Sequence, residues 1–544
     1  MKMNKTSLAG AISLVVFTTA QAGDQHHQSN AIPDYQAGNP WFIDGAANID
    51  AKTLAKIHRA RNVILFVGDG MGVSTVTAAR ILEGQMKGMQ GEENNLSFDR
   101  FPFTGLAKTY NVDAQTPDSA GTMTAMMTGV KTDAGVIGVD EDAVRGDCSS
   151  ATGNELVTAL ELAEIAGKST GVVTTARITH ATPAATYAKS ADRNWEDISD
   201  MPAEAVDQGC SDIAVQLINF ENNLKSRYPN AKRIDGLEVA MGGGRRHFLP
   251  KDAAFNSPDA VSSVEGDRTD GRNLIAEWTD AYANGVYVYD QNGFDSIDPN
   301  STKRVLGLFN ESHMQYEADR PNDIAGEPSL TEMTAKAIDI LDNNDKGYFL
   351  TVESGRIDHA HHAGNAYNAL SDTIEMAKAV QAAVDATNPE DTLILVTADH
   401  SHVFTIAGYP KRGNPILGKV VSIGSDQPAL AKDNLPYTTL GYANGLGFRD
   451  LGNETDADEA YGQPAFGGRV DLTGVDTEAS GFHQETLVPL GSETHAGEDV
   501  AVYGQGPGAH LVSGTIEQSV IFHAINQAAR LEQAADRGIR NRHW

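Results

Sequence analysis

The strongest apolar runs along the chain are short, β-rich and bounded by helical patterns. Val63-Ile64-Leu65-Phe66-Val67 has no polar position, as expected of a strand buried on both faces. Thr170-Gly171-Val172-Val173-Thr174 follows a helical pattern over 154–166. Tyr348-Phe349-Leu350-Thr351-Val352 and Thr392-Leu393-Ile394-Leu395-Val396 flank a second helical pattern over 366–386. Apolar runs alternating with helices predict parallel strands covered on both faces. The predicted fold is therefore α/β, a doubly wound and mainly parallel central sheet with helices on both faces.

Three stretches break this rhythm. Residues 1–22 carry Lys2 and Lys5, a short apolar run from Leu8 to Phe17, and Ala20-Gln21-Ala22, the pattern of an export leader. The run is too short to cross a bilayer, and no later segment is long and apolar enough. The expectation is an exported protein, periplasmic or secreted, with no membrane span. Residues 23–60 read as a polar N-terminal arm with an amphipathic stretch near Leu54 and Ile57. Residues 405–490 are rich in Gly, Pro and polar positions (Tyr409-Pro410, Arg412-Gly413-Asn414-Pro415, Tyr442-Ala443-Asn444-Gly445) and read as an irregular or short-stranded insertion.

Charge narrows the range of partners. The 544 residues include 42 Lys+Arg against 73 Asp+Glu, a formal charge of −31. That excess argues against a nucleic-acid-binding module or a polybasic membrane anchor. Residues 450–499 hold twelve acids and one base, Arg469, and read as a solvated acidic face. So acidic a surface suggests adaptation to high salt, where ions screen self-repulsion. The two cysteines, Cys148 and Cys210, are expected to be bonded in an oxidising compartment, with two buried thiols as the alternative.

The strong strands stop at metal-type side chains. The first runs into Gly68-Asp69-Gly70-Met71-Gly72, the third into Glu353 and then Asp358-His359-Ala360-His361-His362, the fourth into Asp399-His400. Sites in open α/β sheets lie beyond the carboxyl ends of the strands, so separate segments deliver O and N ligands to one edge. Five of the sixteen histidines fall in two short segments, at 359, 361, 362, 400 and 402. Asp358 and His362, four apart, share a helical face. Carboxylate with imidazole suits zinc, and carboxylate with hydroxyl suits magnesium. The glycine turn is a poor dinucleotide loop, because Asp69 would face a pyrophosphate. In Thr116-Pro117-Asp118-Ser119-Ala120-Gly121-Thr122, Asp118 suits an N-cap and Ser119 opens a helix. Ser119 is then either a nucleophile at an anion-attracting helix start or an ordinary capping-region serine.

Taken together, Val67-Gly68-Asp69-Gly70-Met71-Gly72, Asp118-Ser119-Ala120, His180-Ala181-Thr182-Pro183-Ala184, Val352-Glu353-Ser354-Gly355-Arg356-Ile357-Asp358-His359, Thr397-Ala398-Asp399-His400 and Glu493-Thr494-His495-Ala496-Gly497-Glu498-Asp499 resemble the motifs of alkaline phosphatases, in the family's order, from about residue 60 to 525. The resemblance implies hydrolysis of phosphate monoesters through a phosphoserine, at alkaline pH and with a broad substrate range. It implies two zinc ions and one magnesium ion per chain. Ser119 matches the nucleophile and Arg193 the phosphate-binding arginine, with Arg177 the less favoured choice. Asp358, His362 and His495 match the first zinc site, and Asp69, Asp399 and His400 the second. Asp69, Thr182 and Glu353 match the magnesium site. His180 and His359, beside the phosphate, match the animal-type pattern, as does a Cys148–Cys210 disulfide. The catalytic domain would span 61–404 and 491–530, and 405–490 resembles the animal-type crown at the interface of a homodimer. The animal-type calcium site is not expected, because Phe309 is followed by Asn310 and a carboxylate is lost. Within the wider superfamily, a sulfatase would need a different setting around Ser119, and a diesterase usually lacks the clamping arginine and third metal.

Overall fold

The computed structural model describes residues 31–52 and 58–540. The leader over 1–22 and the amphipathic stretch at Leu54 and Ile57 lie outside the described residues. Among the described residues, no helix is long and apolar enough to cross a membrane.

A ten-stranded sheet forms the centre of the molecule. Its strands include β1 (Asn62–Gly68), β2 (Phe103–Lys108), β3 (Ser169–Arg177), β4 (Val239–Gly243), β5 (Gly285–Val288), β6 (Arg304–Leu308), β7 (Tyr348–Ser354) and β8 (Thr392–Ala398). Across the sheet they run Gly514–Glu517, β2, Val500–Gln505, β8, β1, β7, β3, β4, β6, β5. Val500–Gln505 is antiparallel to both of its neighbours, and the other pairings are parallel. The four apolar runs read from the sequence are the four adjacent central strands β8, β1, β7 and β3. Helices cover both faces there, so every residue of β1, β7 and β8 is buried.

Register places the site. Gly68 at the end of β1 stands level with Ser354 of β7 and Ala398 of β8. The residues that follow these three strands therefore leave the sheet at one edge.

The helical pattern over 366–386 is the helix Ala366–Ala386, started by Asn365, whose side chain accepts from Asn368 N. The pattern over 154–166 is shorter than expected, a helix Ala159–Ala166. Thr158 and Glu161 form a reciprocal capping box that fixes the start, and Gly167, at φ 77°, ends it. Upstream, Glu155 pairs instead with Val139 as an isolated bridge. The N-terminal arm folds into Asp34–Ala37 and Pro40–Lys52, and buried Gln36 donates to Thr128 O and Val157 O.

The 405–490 stretch is short-stranded. Leu440–Gly445 lies between Phe404–Ile406 and Thr486–Pro489, and Arg449–Asp450 pairs with Phe482–His483. The reading of 450–499 as a solvated acidic face needs correction at Glu493, and Asp458, though partly exposed, is also paired. Glu493 is 1% exposed and tied to His402, and Asp458 binds Arg356 and the Tyr316 hydroxyl. Both acids stand opposite buried donors, which a periodicity argument does not register. Cys148 and Cys210 are joined in a disulfide.

Candidate active site

Ser119 begins the helix Ser119–Thr128, every residue of which is buried. Asp118 is its N-cap, one carboxylate oxygen accepting from Gly121 N at 3.1 Å, and Gly129 closes the far end at φ 78°. Ser119 Oγ lies 3.1 Å from His400 Nε2 and 3.5 Å from Asp69 Oδ1.

Two clusters of ligand-type atoms meet around this hydroxyl. Asp69, Asp399 and His400, all buried, form one group able to hold a metal ion, with His400 Nε2 3.3 Å from Asp69 and 3.4 Å from Asp399. The other is centred on Asp358 Oδ1, 3.3 Å from His362 Nε2 and 3.4 Å from His495 Nε2, the two ring nitrogens being 3.1 Å apart. Asp358 and His362 come from the single helix Arg356–His362 that follows β7. His495 arrives from a distant segment, because His495–Ala496 pairs with Ser401–His402.

On the other side of Asp69, Thr182 Oγ1 lies 3.5 Å from Asp69 Oδ2, and Glu353 accepts from Thr174 Oγ1. Asp69, His180 and Glu353 also converge closely enough to hold an ion. The structure thus gathers the candidate ligands read from the sequence at one strand edge and places His180 beside Asp69 and Glu353.

Arg193 is held by Asp118, Nη1 to Oδ2 at 3.0 Å, and by His180 Nε2 at 3.2 Å. Arg177 is engaged elsewhere, its guanidinium bound to Glu196. Arg193 is therefore the arginine joined to the residue next to Ser119. His180, His359 and His313 form a ring cluster, with His313 and His359 centroids 4.0 Å apart.

The electrostatics suit cations. Burial, reinforced by Asp399, Asp358 and Glu353, holds Asp69 well above the usual carboxylate range. Burial pushes Glu353 up to about 7 and also raises Asp399. Asp358 is the exception. Burial alone would raise it, but His362, His402 and His495 hold it well below. Burial lowers His180, His313, His359 and His400, leaving neutral imidazoles of the kind that ligate metals. Buried Glu353 Oε1 and Asp399 Oδ2 have no hydrogen-bond partner, a pattern that bound cations would complete.

Sequence reasoning gave no role to His402, Glu493 or His313. His402 Nε2 lies 2.9 Å from Asp358 Oδ1 while Nδ1 meets Glu493 Oε2 at 2.6 Å. Although burial opposes it, this pair of carboxylates raises His402 to about 10. The signal for His402 was its place in the histidine-rich segment, and for Glu493 its place beside His495. Nothing local marks His313. Glu327 is buried and accepts from Gln315 N at 2.6 Å.

Comparison with known proteins gives a consistent answer. The family model described as alkaline phosphatase matches residues 60–531. The human tissue-nonspecific isozyme of alkaline phosphatase is 44% identical over 473 residues, covering 86% of this chain and 84% of that protein. An alkaline phosphatase of Gadus morhua is 42% identical over 506 residues, covering 92% and 98%. The crystal structure of Thermus thermophilus alkaline phosphatase superposes with a TM-score of 0.58 at 26% identity, covering 89% of this chain and 96% of that one. A family match across nearly the whole fold, joined to a phosphatase-like constellation at its strand edge, places the chain in the alkaline phosphatase family as a phosphomonoesterase.

Proposed function

We propose that this chain is an exported, metal-dependent alkaline phosphatase that hydrolyses phosphate monoesters through a phosphoserine at Ser119, releasing inorganic phosphate and an alcohol, with a broad substrate range. The observation that carries the reading is the position of Ser119 Oγ, at a buried helix start within 3.5 Å of both Asp69 and His400. Asp358, His362 and His495 would hold one zinc ion, Asp69, Asp399 and His400 a second, and Asp69, Thr182 and Glu353 a magnesium ion. The unpartnered buried oxygens of Glu353 and Asp399 fit that requirement. When bound, such ions supply Lewis-acid stabilisation of phosphate charge and lower the pKa of hydroxyl and water nucleophiles, which gives a rate rising into alkaline pH.

Ser119 Oγ attacks phosphorus in line with the departing alcohol, and the helix N-terminus at Ser119 favours the anion it meets. Arg193, already oriented by Asp118, forks two phosphate oxygens. His180 and His359 border the same phosphate as neutral donors. Water then cleaves the phosphoserine, restoring Ser119. Replacing Ser119→Ala should reduce kcat by on the order of 10³ or more while inorganic phosphate still binds, as read by steady-state kinetics and phosphate inhibition. Near-normal turnover would refute the assignment.

The reading extends to a homodimer whose interface includes the crown-like insertion at 405–490. In support, Tyr409, Ile423, Leu430 and Leu487 are each at least 60% exposed, the kind of side chain that interfaces cover. Export rests on the leader over 1–22, and no nucleic-acid partner is expected. The acidic surface is read as adaptation to salt.

A further inference from the structure

At the opposite edge of the sheet from Ser119 lies a cavity of about 310 Å³, in the size class of small-ligand sites. Six bases line it: Arg59, Arg61, Lys168, Arg233, Lys346 and Arg537. Asp345 is its one carboxylate. In a chain of net charge −31 this concentration runs against the overall sign. Three of the six are fixed by the sheet, since Arg61 precedes β1, Lys168 precedes β3 and Lys346 lies just before β7. These are the strands whose other ends lead to Asp69, His180 and Glu353, about 20 Å away at the usual rise per residue.

Of the six, only Lys168 is buried, Arg61 is partly so, and Arg59, Arg233, Lys346 and Arg537 are exposed, whereas the buried bases elsewhere are paired. Arg245 is paired with Asp259 and Glu265, Arg268 with Asp212 and Asp270, and Arg356 with Asp458. Around the cavity, Arg61 has a 3.3 Å pair with Asp342, both side chains being more than a third exposed. Among the described residues, no ion pair joins a carboxylate to the other five, and Asp235, which attracts Lys346 at longer range, is itself paired with Arg304. Lys168 is 3% exposed and donates to two carbonyls, Arg61 O at 2.6 Å and Lys346 O at 2.7 Å. Two of its three donors are used there, and neither acceptor carries a formal charge. Burial, and then the charges of Arg59 and Arg61, lowers its ammonium to about 8. The clustering of six bases against the single lining carboxylate Asp345 gives the cavity a local excess of positive charge that an anion would offset.

We propose that this cavity is a second anion site, separate from the catalytic centre, that takes a small, multiply charged phosphate-type anion such as orthophosphate. A free anion fits better than a phosphate-bearing lipid surface. The net acidity of the chain would repel an anionic membrane, whereas a small anion enters the local field alone.

The test is isothermal titration calorimetry of the metal-loaded enzyme with inorganic phosphate. The wild type should bind two phosphates per chain. An Arg233→Gln/Arg537→Gln double variant, altered only at exposed side chains, should bind one while keeping its kcat/KM and its phosphate inhibition constant. Lys346→Gln gives an independent check if that variant folds poorly. One phosphate per chain in the wild type, or two in both variants, would overturn the proposal. So would sedimentation with phosphatidic-acid vesicles that the variants lose, because it would assign the cavity to a membrane. Because activity and phosphate inhibition report on Ser119 and Arg193 alone, failure here leaves the catalytic reading untouched.

Discussion

Asp118 has two roles that meet at Ser119. One oxygen caps the helix that begins at Ser119, and the other holds Arg193 at 3.0 Å. Burial would raise its pKa, but Arg193 and the hydrogen bonds from Gly121 and Gly135 keep Asp118 below its ordinary value, so it remains an anion able to orient the guanidinium. The fork thus faces the site before substrate arrives, and less side-chain order has to be gained on binding. Arg193→Ala should lower kcat/KM for monoesters by about 10²–10³ and for diesters far less, since a diester carries less charge to clamp. Parallel assays on matched mono- and diesters check it, and equal losses would point to a different arginine. Arg177, bound to Glu196, should not substitute. Sequence motifs singled out Ser119, Arg193 and the candidate ligands one by one. They could not assign His402 or Glu493, whose 2.6 Å contact joins segments 91 positions apart.

At the scale of elements, chain direction does most of the positioning. Strands β1, β7 and β8 end level with one another, so the turns after Gly68, Ser354 and Ala398 converge without any long loop. The helix Arg356–His362 then puts Asp358 and His362 on one face, as their spacing implied. Local signals misplaced the helix after Asn154, because apolar periodicity continues upstream of the true cap at Thr158. That cap is testable. Thr158 Oγ1 meets Glu161 N at 3.1 Å and donates to Thr186 O at 2.8 Å, all within the buried interior. Thr158→Ala should destabilise the fold by about 1–2 kcal/mol, measured as a lower urea midpoint with an unchanged slope. No change in midpoint would mean that the helix start is held by packing alone.

On the scale of the whole molecule, charge sets two expectations. The first concerns the metal-free protein. Glu353 rises from 4.5 to about 7 on folding, and Asp69 and Asp399 also rise. A carboxyl with a raised folded pKa binds more protons folded than unfolded, so stability falls as pH climbs from about 4.5 to about 7. Chelated enzyme should therefore lose Tm across that window more steeply than enzyme reloaded with zinc and magnesium, whose cations offset these anions. Parallel slopes by calorimetry would argue against cations at these carboxylates. The second concerns the surface. With a charge of −31, added NaCl should raise Tm by screening repulsion, and a flat or falling Tm would count against salt adaptation.

The sequence by itself determined the α/β class, the central strands, the helix start at Ser119 and the candidate ligand types. All of these are written in local pattern, through burial period, capping chemistry and short motifs. Only the tertiary structure decided what depends on separate segments meeting. It brought His495 to Asp358 through pairing with His402, placed Glu493 behind His402, and paired the half-exposed Asp458 with buried Arg356. It also grouped six bases from five segments of the chain around one cavity. Contacts of this kind are set by strand order and register, which join residues hundreds of positions apart and leave no periodic trace in the chain.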